Sequence, residues 1–419
     1  MEFPSMMLIR QNFETPQVQD IPTEVDHQLK SLNLRDKVRP GETVAITVGS
    51  RGIANIATIT KAICDCLKKL EAIPFIVPAM GSHGGGTVVG QTEILCSYGV
   101  TEESMGVEIR ASMETVVVDR TSQGIPVHFD RHAYEADHVL VVGRVKPHTG
   151  FVGEIESGLH KMMLIGLGKH EGAILYHRAI QDYSFLVIIK SVADVVIKKC
   201  GILAGLAIVE NAFDETGLLE AVSPENFFVR EKELLKLAVQ WMPKLPFPEI
   251  DLLIVDAIGK NISGTGMDTN VVGRKYNDKT ATEKDNVRCK RIFARGLTEE
   301  THGNALGLGI AEFTTQRVVD GIDFHAMNVN ALTGGHPSSA SIPMTFPTDR
   351  DAVEAALGTV GMVAPKNARV IRIANTQNLE TIQVSEPFFS EVNSRDDLES
   401  QRAPTEMQFD GQGFLEPLA

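Results

Sequence analysis

The chain has 419 residues, 43% hydrophobic and 22% charged, a composition typical of folded globular proteins. It is too long for one ordinary core, so two domains are expected. With 40 basic against 54 acidic residues, the formal charge is −14 and no basic stripe breaks it, which excludes nucleic acid and anionic membrane surfaces as partners.

The amino terminus, MEFPSMMLIRQNFETP, has no signal-peptide core, and no apolar run reaches the roughly 18 residues of a membrane helix. TVAITV (43–48) reads as a buried strand, followed by a helix over 53–70. Cys64 and Cys66 lie in that helix, where residues two apart face different ways, so a metal or redox pair is not expected. The five cysteines are odd in number and scattered. A reducing, cytoplasmic location follows. IPFIVPAM (73–80) is the next strand, with a helix over 87–98. HVLVVGRV (138–145) and ILAGLAIVEN (202–211) are apolar runs of strand length. Such runs between amphipathic helices predict parallel sheets covered on both faces. PKLPFPEI (243–250) reads as a domain edge, after which DLLIVDAI (251–258), a helix at 349–361 and ARVIRIAN (368–375) form a second α/β unit. The expected architecture is therefore α/β, with two α/β domains of mainly parallel sheet over 1–245 and 251–385. A tail, 386–419, packs back on the first, and an active-site cleft lies between the two.

The candidate chemistry sits past the carboxyl ends of predicted strands, where open α/β sheets bind ligands. Arg51 follows the first strand, His83 the second and His148 the third. Gly81-Ser82-His83-Gly84-Gly85-Gly86-Thr87 leads into a helix, so its backbone can approach an anion closely, with Ser82, Gly84 and Gly85 in the cradle. An imidazole there can take and return a proton near neutrality. Of the 12 histidines, His128, His132, His138, His160 and His170 read as structural or surface residues, and the role of His336, in the Gly-rich TGGHPSS, stays open. Residues 143–177 are densest in chemistry and include Lys161 and His177. No cysteine or carboxylate cluster accompanies His177, so a metal bound there needs most of its ligands from elsewhere.

These motifs resemble the nickel-dependent lactate racemases and their homologues. The matching residues are Gly81-Ser82-His83, then Pro147-His148 with Gly150-Phe151-Val152-Gly153, then Lys161, Gly166-Leu167-Gly168 and His177. The resemblance implies a racemase or epimerase that inverts C2 of a small anionic 2-hydroxy acid through a nickel pincer nucleotide. Lys161 would be its covalent tether, His177 the nickel ligand, and His83 and His148 the acid/base pair. Arg51 would hold substrate or a cofactor phosphate. The alternatives are a non-catalytic homologue that binds a small ligand, or a metal-dependent hydrolase or lyase on the same scaffold. Three departures stand out, the first a longer loop between His148 and Lys161 that contains Glu154 and Glu156. An aspartate usual in the family is Val48 here, and the substrate-facing segment becomes GKNISGTGMD, in which Lys260, Asn261, Thr265 and Asp268 are the expected substrate contacts. That replacement points to an acid more polar than lactate, and leaves the oligomeric state open.

Overall fold

The computed structural model describes residues 1–50 and 52–418. The chain divides into two compact units, one of residues 15–148 and 152–242, the other of 1–14, 149–151 and 243–419.

The first unit is built on a five-stranded sheet ordered β3-β2-β6-β7-β8, where β2 is Thr43–Val48, β3 Ile73–Pro78, β6 His138–Arg144, β7 Ile202–Glu210 and β8 Thr216–Val222. The first four strands run parallel and β8 turns back antiparallel along β7. Every residue of β7 is buried, as expected of a strand covered on both faces. The helix Ile56–Lys69 turns Ile56, Ile59, Ile63 and Leu67 onto the sheet at spacings of three and four residues. On that helix Cys64 is buried whereas the Cys66 thiol bonds the Asp26 carboxylate at 3.4 Å, so the two thiols diverge as expected. Two further strands, β4 (Thr115–Arg120) and β5 (Pro126–Asp130), form an antiparallel hairpin that the apolar pattern does not reveal.

The second unit carries a nine-stranded sheet. Its parallel part comprises β9 (Glu249–Val255), β10 (Arg288–Ala294), β11 (Phe313–Thr315), β12 (Met344–Phe346) and β13 (Val370–Ile373). Its antiparallel part adds β14 (Thr381–Ser385), β15 (Leu398–Ser400), β16 (Thr405–Glu406) and the amino-terminal β1 (Ser5–Gln11). Residues 1–14 thus belong with the carboxyl-terminal unit and not with a domain spanning 1–245. The reason is physical: β1 buries Met6 to Ile9, and its backbone is satisfied by β14 on one side and by β15 and β16 on the other. The tail does return to the amino-terminal strand, but that strand lies in the tail's own unit.

Candidate functional site

Because β2, β3 and β6 run parallel, the loops that leave Val48, Pro78 and Arg144 emerge from the same edge of the sheet, its carboxyl edge. The structure thereby brings the His83 and His148 loops to one place in the fold. Arg51 lies outside the described residues, and its neighbour Ser50 proves informative.

The His83 loop is held in a shape only glycine permits. Gly81 has φ +60°, and a Cβ there would lie 2.8 Å from the Ile165 side chain. Gly84 has φ +66°, and a Cβ there would sit 2.6 Å from the Gln91 backbone nitrogen. Gly85 faces open space, Ser82 is half-buried, and the Thr87 hydroxyl caps the helix Val88–Ser97 by accepting from the Gly90 N–H at 3.1 Å. His83 itself is half-buried, its Nδ1 in a short hydrogen bond with the Ser50 hydroxyl. If Nδ1–H donates to Ser50, Nε2 is left as the basic nitrogen. Ser50 is therefore the group that orients this imidazole. Its signal in the sequence is only its place beside Arg51.

Beneath the loop lies a polar group that the sequence reading missed. Gln91, buried, donates to the carbonyls of Gly81 (3.0 Å) and His83 (3.3 Å). Its oxygen accepts from Lys169, which also bonds the Pro78 carbonyl at 2.7 Å and pairs with Asp130 at 3.2 Å. Lys169 and Asp130 are fully buried, and burial pushes the lysine below its usual range against the opposing pull of Asp130. Lys169 is thus an enclosed cation and not a solvated one. His170, read from sequence as structural or surface, stands against the same loop. Its Nδ1 is buried without a hydrogen-bond partner among the described residues, 3.1 Å from where a Gly86 Cβ would be.

The His148 loop is organised by Glu156, which is only 4% exposed. Its carboxylate accepts the N–H of His148 at 2.8 Å and that of Gly153 at 3.1 Å. Ser157 closes the loop base, its hydroxyl bonding both the N–H and the carbonyl of Lys146 at 2.6 Å. Glu154 instead pairs with Lys232 at the surface.

Lys161 is half-buried and ends the short helix Leu159–Lys161, which runs straight into a π-helical stretch, Met162–Gly166. Such widened turns cost hydrogen-bond geometry and cluster at functional sites. The neighbouring His160 is buried, its Nδ1 bonded to Glu231, whose carboxylate also accepts the His160 N–H at 3.2 Å. Gly158, at φ +82°, leaves room for that carboxylate, since a Cβ there would lie 2.0 Å from Glu231 Oε1. After Gly166-Leu167-Gly168 the chain enters the helix Lys169–Asp182, on which His177 is exposed.

The expected substrate contacts lie in the other unit and bond to protein groups around them there. Lys260 donates to the Gly264 carbonyl at 2.7 Å, and Asn261 accepts from Thr298 at 2.6 Å. Thr265 donates to the Met267 carbonyl at 2.7 Å, and Asp268 caps the helix Thr269–Val272. Their polar atoms shape the loop, so they do not by themselves argue for a more polar substrate. His336 is exposed, at the cap of the short helix Pro337–Ala340.

Residues 6–185 match the lactate racemase N-terminal domain. The amino-terminal region of the chain is thus similar to the lactate racemase family. The fold is similar to that of the lactate racemase apoprotein from Thermoanaerobacterium thermosaccharolyticum, with a TM-score of 0.53 and 12% identity over 89% of this chain and 99% of that one. A protein from Thermotoga maritima is similar at a TM-score of 0.50 and 12% identity, covering 88% of this chain and 99% of its own. No curated protein matches the sequence. Among the described residues, no helix is long and apolar enough to cross a membrane.

Proposed function

We propose that the protein is a cytoplasmic isomerase that inverts C2 of a small anionic 2-hydroxy acid. In this reading His83 and His148 are the acid/base pair, Lys161 tethers a nickel pincer nucleotide, His177 is a nickel ligand, and Arg51 holds a carboxylate or phosphate. One observation carries it: in a chain whose residues 6–185 match the lactate racemase N-terminal domain, the loops bearing His83 and His148 leave the same sheet edge.

The residues present suit the cofactor. Gly85 leaves the loop open to a ligand, a Cβ at Gly86 would crowd His170, and the orphaned Nδ1 of His170 can donate to an anionic group when protonated. Among the described residues, no group of three or more histidines, cysteines or carboxylates could hold a metal ion. A metal here therefore needs an organic group to supply ligands, with the imidazole of His177 as one donor. When bound, the nucleotide supplies a reversible hydride acceptor, chemistry that no side chain offers. The chain's residues do the rest. Ser50 fixes the His83 ring so that Nε2 takes the substrate's hydroxyl proton and returns it. Glu156 fixes the backbone from which His148 does the same at the opposite face. General acid/base groups of this kind contribute about 10²–10⁴-fold.

The test is to express the chain in a host that makes the nucleotide. Peptide mapping should show added mass on the Lys161 peptide, with nickel in the intact protein. Enantiopure 2-hydroxy acids should be inverted by the parent and not by His83→Ala or His148→Ala. Active protein with bare Lys161 and no nickel would overturn the proposal.

A further inference from the structure

We propose that Gln91, Lys169 and Asp130 form a positioning strut that fixes the His83 loop against the segment following Lys161, and so sets where the His83 imidazole stands. The inference rests on the reading of His83 as an acid/base group.

The geometry is specific. The Lys169 ammonium donates to the Pro78 carbonyl and to Gln91 Oε1, and its charge is paired with the Asp130 carboxylate. Pro78 is the last residue of β3 and so begins the loop, while Gln91 lies one turn into the helix that ends it. Gln91 then passes the connection on, through its amide, to the carbonyls of Gly81 and His83. Both ends of the loop, and the histidine's own peptide, thus terminate on one ammonium group. That ammonium belongs to the stretch that runs on from Lys161, and the backbone repeats the link, since the Gly81 N–H donates to the Gly166 carbonyl at 3.3 Å.

The arrangement is costly for mere cohesion. Lys169 is held at φ +54°, a left-handed conformation that strains a residue with a Cβ. Its charge pair is wholly buried, and buried pairs are frequently no more stabilising than apolar residues of the same volume. What an apolar core could not supply is directional bonds to four separate points. Those bonds fix a loop that glycines at 81 and 84 to 86 would otherwise leave conformationally free.

Three variants decide the matter: Gln91→Leu; Gln91→Glu, which keeps an acceptor for Lys169 but loses the donors to Gly81 and His83; and the double variant Lys169→Met with Asp130→Asn, which strands no charge. Each is compared with the parent by circular dichroism, by hydrogen exchange of residues 81–86, by the imidazole NMR signals of His83 and by steady-state inversion of the best 2-hydroxy acid. The expected result is a folded protein whose 81–86 amides exchange at least about tenfold faster and whose His83 signals shift or broaden. Its kcat should fall about 10²-fold, as for a displacement near 1 Å, with KM almost unchanged. A folded variant with the parent's exchange, His83 signals and kcat would overturn the strut. So would loss of folding in all three, because the group would then hold up the unit as a whole. Should the parent invert no acid, the proposed function fails, while exchange and NMR still decide the strut.

Discussion

Replacing Glu156 by alanine removes a carboxylate that ties His148 to Gly153 across their loop, through N–H bonds of 2.8 and 3.1 Å. Each backbone donor left without its acceptor costs about 1–3 kcal/mol, so two give roughly 2–6. His148 is half-buried, so water can reach part of the gap, which brings the expectation to about 2–4 kcal/mol of local stability. Glu156→Gln keeps one accepting oxygen but turns an NH2 group toward the second amide, and should cost about half as much. Because the chain forms two units, a global unfolding curve would blur a local effect. Hydrogen exchange read at the His148 and Gly153 amides is the direct assay. With about 1.4 kcal/mol per factor of ten, Glu156→Ala should speed their exchange by roughly 30- to 1000-fold, and Glu156→Gln by about 10-fold. Amides beyond this loop should keep their rates. A folded Glu156→Ala protein whose His148 amide exchanges at the parent rate would refute the assignment of Glu156 as the clamp of this loop.

Two further outcomes follow from the described contacts. Ser50→Ala should leave KM unchanged and lower kcat about tenfold, the equivalent of one net hydrogen bond, while Ser50→Thr retains most activity; equal kcat in parent and Ser50→Ala would remove Ser50 as the group that orients His83. Burial pushes the thiols of Cys64, Cys200 and Cys289 up to about 12 and that of Cys66 to about 11, so a thiol reagent at pH 8 should label exposed Cys96 first; rapid labelling of Cys289 in native protein would contradict the packing of the second unit.

What the sequence revealed, and what it withheld, follows from the range of the forces involved. TVAITV and HVLVVGRV are readable because a strand buried on both faces must be apolar throughout, and both lie where expected, at 43–48 and 138–144. The helices read at 53–70 and 87–98 occur as Ile56–Lys69 and Val88–Ser97, since their apolar spacing is local information. By contrast, SMMLIRQ becomes a strand only because β14 and β15, some 370 residues away, supply its partners, and no periodicity in seven residues announces that. The hairpin β4–β5, whose first strand is only partly buried, and the π-helical stretch after Lys161 do not show in the apolar pattern either.

The site divides along the same line. His83, His148, Lys161 and His177 were singled out by residue type and spacing. The residues that hold the His83 and His148 loops, Ser50, Gln91 and Glu156, are ordinary polar residues whose meaning is their position in space. A lysine in GLGK reads as a solvated cation, and only the enclosure of Lys169 by Pro78, Gln91 and Asp130 makes it part of the site. Lys260, Asn261, Thr265 and Asp268 suggested a ligand as polar residues of a glycine-rich loop, and each also bonds protein groups around it. Residue type alone underestimates the buried groups that support a reactive loop. A polar side chain gains functional meaning from where its bonds end, and those of Gln91 end on the peptide of His83.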